Sequence, residues 1–223
     1  MEDKNIFFID LSTSFLCLGL KRGDRVSILG LDAKRQSSEV IWSNIKRLFA
    51  SLDAKIEEIN FLGVGLGPGS FTGLRISFSI IKALALSRNL KIVGIPTFDI
   101  LSFPLKEHRK VCVSFYARKN LFYLACYRDE GGVFKKIHRE SLVSRQQLFS
   151  FLIKKGFVLC GDAVNFIESP ERKKIKVVDE VFWKINPHIF LKLCLGKIAR
   201  KRYLKISNLK PLYIHSPLCQ VKI

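Results

Sequence analysis

Residues 61–75 read Phe-Leu-Gly-Val-Gly-Leu-Gly-Pro-Gly-Ser-Phe-Thr-Gly-Leu-Arg, and their pattern predicts the fold class. It passes from an apolar run that predicts a buried strand at 61–66, through a glycine-rich turn, into a helix from about 71 to 87. A second apolar strand at 91–95 ends at Pro96. Because a strand, a crossover helix and a second strand pair in parallel, the stretch predicts a parallel α/β sheet.

The sequence on the N-terminal side predicts three strands and a helix. Apolar, β-favouring runs at 5–9, 15–20 and 26–31 predict a three-stranded meander. From 37 to 52, apolar residues recur at three- and four-residue spacing, which is the period of an amphipathic helix. The first half of the chain therefore has the order βββαβαβ.

The second half repeats that order and ends in one more helix. The repeat resembles the actin-like ATPase (ribonuclease H-like) plan, in which two related α/β lobes surround a cleft. It predicts an N-terminal lobe at 1–105 and a basic C-terminal lobe at 106–223 that includes a terminal helix at 187–203. The other elements of the second half are predicted as strands near 111–116, 121–127 and 133–138, a helix at 145–155, a strand at 157–160, a short helix, and a strand at 175–178.

Composition excludes several classes of protein. The 223 residues are 48% hydrophobic, which is enough to bury a core in each of two lobes. No apolar run approaches the roughly 20 residues that cross a bilayer, and the acids near Met1 are unlike a signal peptide, so we expect a cytoplasmic protein without membrane contact. The six cysteines form no C-x-x-C pair, and the four histidines are isolated, so we expect no disulfide and no metal site.

Charge differs sharply between the two halves. Residues 1–105 hold 13 Lys and Arg against 10 acids, whereas 106–223 hold 25 against 9. Such a field attracts RNA or an acidic protein. Lysine-rich composition on solvated faces explains it equally well, because clusters such as Arg172–Lys174 and Arg200–Arg202 are short.

The glycine-rich turn has two physical interpretations. Glycines let the backbone turn sharply, and Ser70 or Thr72 can cap the helix that follows. The same helix N-terminus is a potential anion site. No Lys-Ser/Thr follows the glycines, so the turn is not a P-loop, and its spacing is not G-x-G-x-x-G. A phosphate role and a purely structural turn both stay open.

Asp10-Leu11-Ser12-Thr13 follows the first strand, where actin-like ATPases hold magnesium and phosphate. A complete site also needs acids and an adenosine loop in the second lobe, but Tyr116 stands where an Asp is expected and Gly131-Gly132 is typical of a hairpin turn. Gly161-Asp162 is a weak candidate. We predict no catalytic residue, with an independent ATPase or kinase using Asp10 and Thr13 as the alternative. The predicted vestigial phosphate site comprises Asp10, Ser12, Thr13, Gly67, Gly69 and Ser70.

Several stretches together resemble the TsaB (YeaZ) family of the actin-like ATPase superfamily, whose members act in tRNA threonylcarbamoyladenosine biosynthesis. The residues at 67–75 match its most characteristic motif. Two departures from the family are Tyr116, where an Asp often precedes the Ala-Arg pair, and Ser37, where a His often precedes the first long helix. The other matching stretches are 9–13, 16–20, 93–97, Ala117-Arg118 and 211–214.

The resemblance implies a non-catalytic scaffold. Such a subunit pairs with a TsaD-type transferase and a TsaE-type P-loop ATPase, forms a homodimer when the partner is absent, and meets tRNA through the complex. It implies no cofactor for this chain, and ATP or ADP with Mg in the assembled complex. Docking is implied for helices 38–52 and 71–87, and the second of these is apolar on more than one face. The predicted interface residues are Ile41, Ile45, Leu48, Phe71, Thr72, Arg75, Ile76, Ile80 and Ala83.

Overall fold

A computed structural model describes residues 4–32 and 38–214, and the side chains of 38 and 39 are outside that description. Ser37, one of the two departures from the family pattern, therefore lies outside the described residues, as does His215. The chain divides into two compact units, one comprising Met1–Thr97 with Ile185–Pro211 and the other comprising Phe98–Lys184 with the chain from Leu212 onward.

This division differs from the predicted lobes 1–105 and 106–223. The boundary falls at Thr97, and the terminal helix belongs to the first unit and not to the second. The physical reason is that the terminal helix buries its apolar face on the first sheet. The Phe190 ring centroid lies 5.0 Å from the Phe8 ring centroid of the first strand, and the Cys194 sulfur packs close to Gly63. Hydrophobic periodicity shows that a helix has an apolar face, but it does not show which sheet that face covers.

The strands follow the predicted order closely. They are β1 (Ile6–Asp10), β2 (Phe15–Arg22), β3 (Arg25–Asp32), β4 (Phe61–Gly65), β5 (Lys91–Ile95), β6 (Lys110–Arg118), β7 (Leu121–Glu130), β8 (Val133–Ser144) and β9 (Val158–Cys160).

The α-helices have the following bounds. They are α1 (Ser38–Ser51), α2 (Phe71–Arg88), α3 (Thr97–Ser102), α4 (Arg145–Phe149), α5 (Ser169–Arg172) and α6 (Pro187–Ala199).

The first unit is a sheet with helices on both faces. The strand order is β3-β2-β1-β4-β5, in which β1, β4 and β5 are parallel and β2 and β3 are antiparallel. Successive side chains of β1 point to opposite faces, so Phe7 and Ile9 join one core cluster with α1 and α2. Phe8 faces α6 instead. The predicted βββαβαβ order of this half is confirmed.

The second unit has the same order of elements as the first, but its sheet has four strands and not five. Its sheet has the order β8-β7-β6-β9, and the turn at Gly131-Gly132 has positive φ at both residues, as a tight hairpin requires. The predicted strand at 175–178 is reduced to a single parallel bridge, in which Val177 pairs with Leu159 of β9. The predicted helix 145–155 becomes α4 followed by a π-helical turn at Ser150–Lys154.

The cysteines behave as small buried hydrophobes, as their apolar surroundings predict. None of the helices within the described ranges is long and apolar enough to cross a membrane. Cys219 lies outside the described residues, and the buried cysteines are Cys17, Cys112, Cys126, Cys160 and Cys194.

Candidate functional site

The predicted phosphate site lies where parallel strands end. β1 ends at Asp10, β4 ends at Gly65, and β5 is followed by Thr97. Ile9 pairs with Val64 in the β1–β4 ladder, so the next residues, Asp10 and Gly65, are neighbours. The carboxyl ends of these strands therefore bring residues from three distant parts of the sequence to one edge of the sheet.

Asp10 is fully buried and uses both carboxyl oxygens inside the protein. Its Oδ1 accepts a hydrogen bond from the Ser12 amide at 2.7 Å, and its Oδ2 accepts one from the Thr97 hydroxyl at 2.7 Å. Burial raises the pKa of the Asp10 carboxyl above its ordinary value of 3.8, while these hydrogen bonds act to lower it. This carboxyl group therefore joins β1 to the residue that follows β5.

The Thr97 hydroxyl is the centre of a small network. It lies 2.8 Å from Ser12 Oγ and accepts a hydrogen bond from the Gly67 amide at 3.1 Å. Because its single proton goes to Asp10, the Ser12 hydroxyl is the donor in the contact between the two hydroxyls. The Thr97 amide also donates to the Gly67 carbonyl at 2.9 Å. Thr97 thereby ties the glycine-rich turn to the ends of β1 and β5.

The glycines of this region are required by close backbone contacts. A Cβ on Gly69 would lie 1.9 Å from the Ser12 carbonyl oxygen, and one on Gly73 would lie 1.8 Å from the Leu11 carbonyl oxygen. The Ser70 amide donates to the Ser12 carbonyl at 2.7 Å, which holds the turn against the segment after β1. Only glycine allows these approaches.

The structure brings most of the six predicted site residues together. Asp10, Ser12 and Gly67 share the network with Thr97, and the turn at 69–70 packs on Ser12. Ser70 caps α2 by accepting from the Gly73 amide at 3.2 Å. Thr13 does not join them, because its hydroxyl exchanges hydrogen bonds with the backbone of Phe15.

This arrangement suits a structural junction better than a metal site. A carboxylate that holds Mg²⁺ must present an oxygen to the ion, whereas both Asp10 oxygens face donors of the chain itself. Within residues 4–32 and 38–214, no group of three or more His, Cys, Asp or Glu side chains is placed to hold a metal ion.

In the second unit, Tyr116 and Asp162 have partners within the unit. The Tyr116 ring stacks on Phe166 with centroids 3.8 Å apart, and its amide donates to Asp162 Oδ1 at 2.8 Å. Burial raises the pKa of Asp162, and the bond from Tyr116 opposes that rise. The Tyr116 side chain that departs from the family pattern therefore packs on an aromatic neighbour.

The predicted interface residues divide into two groups. Ile41, Ile45, Leu48 and Ile80 are buried in the core of the first unit, so they stabilise their own chain and cannot offer a surface. Phe71 and Ile76 are half-buried, and the exposed ones are Thr72, Arg75 and Ala83. The Arg75 guanidinium lies 3.8 Å from the Phe71 ring centroid.

Sequence reasoning missed three residues. Thr97 had a detectable signal, because it follows a parallel strand at the same sheet edge as Asp10. Trp42 on α1 and Leu86 on α2 are large apolar side chains with 50% and 69% exposure. The apolar period of a helix does not show that a large apolar residue lies on its solvent-facing side. The exposure of Trp42 and Leu86 is therefore visible only in the folded structure.

Comparisons with known proteins identify the family of the chain. The family model described as TsaD, tRNA N6-adenosine threonylcarbamoyltransferase, matches residues 28–177, which is more than half of the chain. A tRNA threonylcarbamoyladenosine biosynthesis protein TsaB from Haemophilus influenzae is 28% identical, covering 100% of this chain and 98% of the relative. The chain belongs to the TsaB (YeaZ) family. A second TsaB, from Buchnera aphidicola of Acyrthosiphon pisum, is 25% identical over 93% of this chain and 97% of its own length.

Solved structures share the fold. YeaZ from Pseudomonas aeruginosa superimposes with a TM-score of 0.79 at 18% identity, covering 94% of this chain and 99% of that one. A Pseudomonas aeruginosa protein described as similar to peptidase YeaZ has a TM-score of 0.80 at 17% identity, with 95% and 100% coverage. The predicted α/β fold with two related βββαβαβ units is therefore the fold of the YeaZ structures.

Proposed function

We propose that this chain is a cytoplasmic, non-catalytic subunit in tRNA threonylcarbamoyladenosine biosynthesis. It pairs with a TsaD-type transferase, helps to recruit a TsaE-type P-loop ATPase, and forms a homodimer when the transferase is absent. The transfer chemistry, together with ATP or ADP and Mg, belongs to the assembled complex. The names of the TsaB relatives support the pathway.

The observation that carries the non-catalytic role is the closed network at Asp10. In an actin-like ATPase the residue after the first strand must meet magnesium or phosphate. Here the Asp10 carboxyl is completely buried, and each of its oxygens accepts a hydrogen bond from Ser12 or Thr97. To bind a nucleotide, the protein would have to break the junction that joins its strand ends.

The docking surface in this proposal is the outer face of α2, with Trp42 of α1. Thr72, Arg75, Ser79, Ala83 and Leu86 recur at three- to four-residue spacing, so they form one stripe along α2. All are exposed, and Leu86 is 69% exposed. The opposite side of the helix fills the core, where Leu74, Phe78 and Ile81 are buried.

A matched pair of variants, each of which replaces an exposed alanine by arginine, tests this surface. Ala83→Arg places a charge on the proposed docking stripe, whereas Ala199→Arg makes the same change at an exposed position of α6 on the other face of the sheet. In a titration of the full chain against the TsaD-type protein, we expect Ala83→Arg to weaken binding by at least about tenfold, because an unpaired charge would be buried. Ala199→Arg should bind as the unchanged chain does.

Equal binding by both variants would remove the proposed docking surface. Magnesium-dependent hydrolysis of ATP by the isolated chain would instead favour the alternative, an independent actin-fold ATPase or kinase.

A further inference from the structure

A basic segment near the end of the chain, residues 185–211, belongs to the first unit. Residues 185–211 contain seven Lys and Arg and no acid. Residues 106–184 contain 17 Lys and Arg with nine acids. Residues 185–211 therefore carry seven of the net sixteen positive charges of the C-terminal half, and Ile185–Pro211 belongs to the first unit.

The end of α6 places these cations beside the start of β5. After the helix ends, Leu204 forms an antiparallel bridge with Ile92, and its amide donates to the Ile92 carbonyl at 2.8 Å. This pairing brings Lys205 next to Lys91 in the register. Both are exposed, and so are the three residues at 200–202. We call these five residues, Lys91, Arg200, Lys201, Arg202 and Lys205, the basic end of the unit.

One of these cations occupies a backbone conformation that favours glycine. Lys201 has a φ of +53°, and the neighbouring amides close the end of α6 with bonds from Lys201 to Ile198 and from Arg202 to Lys197, each 2.9 Å. Glycine is the common residue at this helix-ending position because it lacks a Cβ. A lysine at this position is conformationally less favourable than glycine, which is consistent with a role for its charge.

The cations of the basic end are not neutralised by neighbouring acids. No ion pair within the parts of the chain that the structure describes involves any of the five. In the second unit, by contrast, Lys136 pairs with Asp99 and Glu140, and Arg145 pairs with Glu168 and Glu171.

Two aromatic rings lie beside Lys91 of the basic end. The Phe61 and Tyr203 rings are stacked with centroids 5.9 Å apart, and Lys91 Nζ lies 5.9 Å and 5.4 Å from their centroids. Both rings are half-buried. Such rings fix the stem of Lys91 and offer partly exposed π-faces beside cations, which is a combination found in nucleic-acid-binding surfaces.

We propose that the basic end binds the sugar-phosphate backbone of RNA. Unpaired cations without an intervening acid suit a polyanion with closely spaced charges, since each phosphate contact releases a counterion. The RNA is tRNA if the proposed function holds, and only that identity rests on the proposed function. This surface lies at the amino-terminal ends of β4 and β5, whereas the Asp10 junction lies at their carboxyl ends.

A matched pair of triple variants tests the proposal. Arg200→Ala/Lys201→Gly/Arg202→Ala removes three cations of the basic end, and glycine suits the positive φ at 201. Arg172→Ala/Lys173→Ala/Lys174→Ala removes three exposed cations of the second unit. Binding of the full chain to labelled tRNA is measured by fluorescence anisotropy over 50–200 mM KCl. We expect the first variant to bind about tenfold more weakly, with a slope of log affinity against log salt smaller by about 3.

The second variant should keep the affinity and salt slope of the unchanged chain. Equal tRNA binding by the first variant and the unchanged chain would overturn the proposal. It would also be overturned if the first variant kept its tRNA affinity and lost affinity for a poly-glutamate peptide, because the surface would then suit an acidic protein. Failure of the Ala83→Arg test would remove the docking surface of the proposed function but would leave the salt-dependent loss of RNA binding unaffected.

Discussion

The first and fourth strands of each unit pair in parallel. In the first unit Ile9 pairs with Val64, and in the second Val113 pairs with Cys160. By this register Ser114 occupies the place of Asp10, Gly161 that of Gly65, and Tyr116 that of Ser12. The two units can therefore be compared residue by residue at the edge where the candidate site lies.

Each unit satisfies the same backbone amide with a carboxylate of different origin. In the first unit Asp10, on the first strand, accepts from the Ser12 amide at 2.7 Å. In the second unit Asp162, just after the fourth strand, accepts from the Tyr116 amide at 2.8 Å. An acid at the end of a strand thus supplies a structural hydrogen bond in both units, and its presence alone does not indicate a catalytic site.

The glycines at the two junctions predict the largest difference. A Cβ on Gly161 would lie 2.2 Å from the Ser114 carbonyl oxygen, and Gly161 has a φ of +120°. We expect Gly161→Ala to lower the free energy of unfolding by about 3–5 kcal/mol in urea titrations, since the clash is with backbone and the conformation is strained.

Gly65→Ala offers the contrasting case. Its Cβ would lie 1.9 Å from Asp10 Oδ2, which is a side-chain atom. Removing the carboxylate makes room, so the double variant Gly65→Ala/Asp10→Ala should lose at least about 1 kcal/mol less than the sum of the single losses. Strictly additive losses would contradict the proposed contact.

The two carboxylates should differ in their contribution to stability. Asp10→Ala leaves the buried Ser12 amide and Thr97 hydroxyl without an acceptor, so we expect a loss of about 3 kcal/mol. Asp162 is half-buried and accepts from the Tyr116 amide, so Asp162→Ala should cost about 1 kcal/mol. Urea unfolding at pH 7 measures both, and equal losses would contradict the difference in burial.

The stability differences measured with the Asp10 and Asp162 variants should also depend on pH. Because burial raises the pKa of folded Asp10 above 3.8, the folded state binds a proton more tightly than the unfolded state does. The stability advantage of the unchanged chain over Asp10→Ala should therefore be fully present below about pH 3.8 and should fall as the pH rises through the raised pKa. Asp162 should show the same sign with a smaller amplitude.

Ser114 predicts the smallest effect. Its hydroxyl is buried and makes no hydrogen bond among the residues that the structure describes. Ser114→Ala should change the free energy of unfolding by less than about 0.5 kcal/mol, or stabilise slightly, because no bond is lost. A loss above about 1 kcal/mol would show that this hydroxyl does have a partner and that the register-equivalent positions are more alike than described.

Much of the first unit could be predicted from sequence because its signals are local. Alternating and continuous apolar runs identify strands, and the 3.6-residue period identifies α1 and α2. Val177 shows the limit, since an apolar run at 175–178 makes only one bridge. Whether a run joins a sheet depends on the neighbouring strand, β9, which has only three residues.

Several members of the candidate site could be predicted from the sequence, but the hydrogen bonds that join them could not. Strand ends and glycines indicated Asp10, Ser12 and Gly67, yet the role of Thr97 depends on a partner 87 residues away in the chain. Four residues of the predicted interface, Ile41, Ile45, Leu48 and Ile80, lie in the core of the first unit, because apolar periodicity does not distinguish a core from a docking surface.

The order of the elements, the glycine-rich junction and the family resemblance could be predicted because they depend on residue type and spacing along the chain. That α6 and its cations belong to the first unit, and that the Asp10 carboxyl accepts hydrogen bonds from Ser12 and Thr97, became visible only in the folded chain. Both depend on burial and hydrogen bonding between distant segments, which local patterns do not encode.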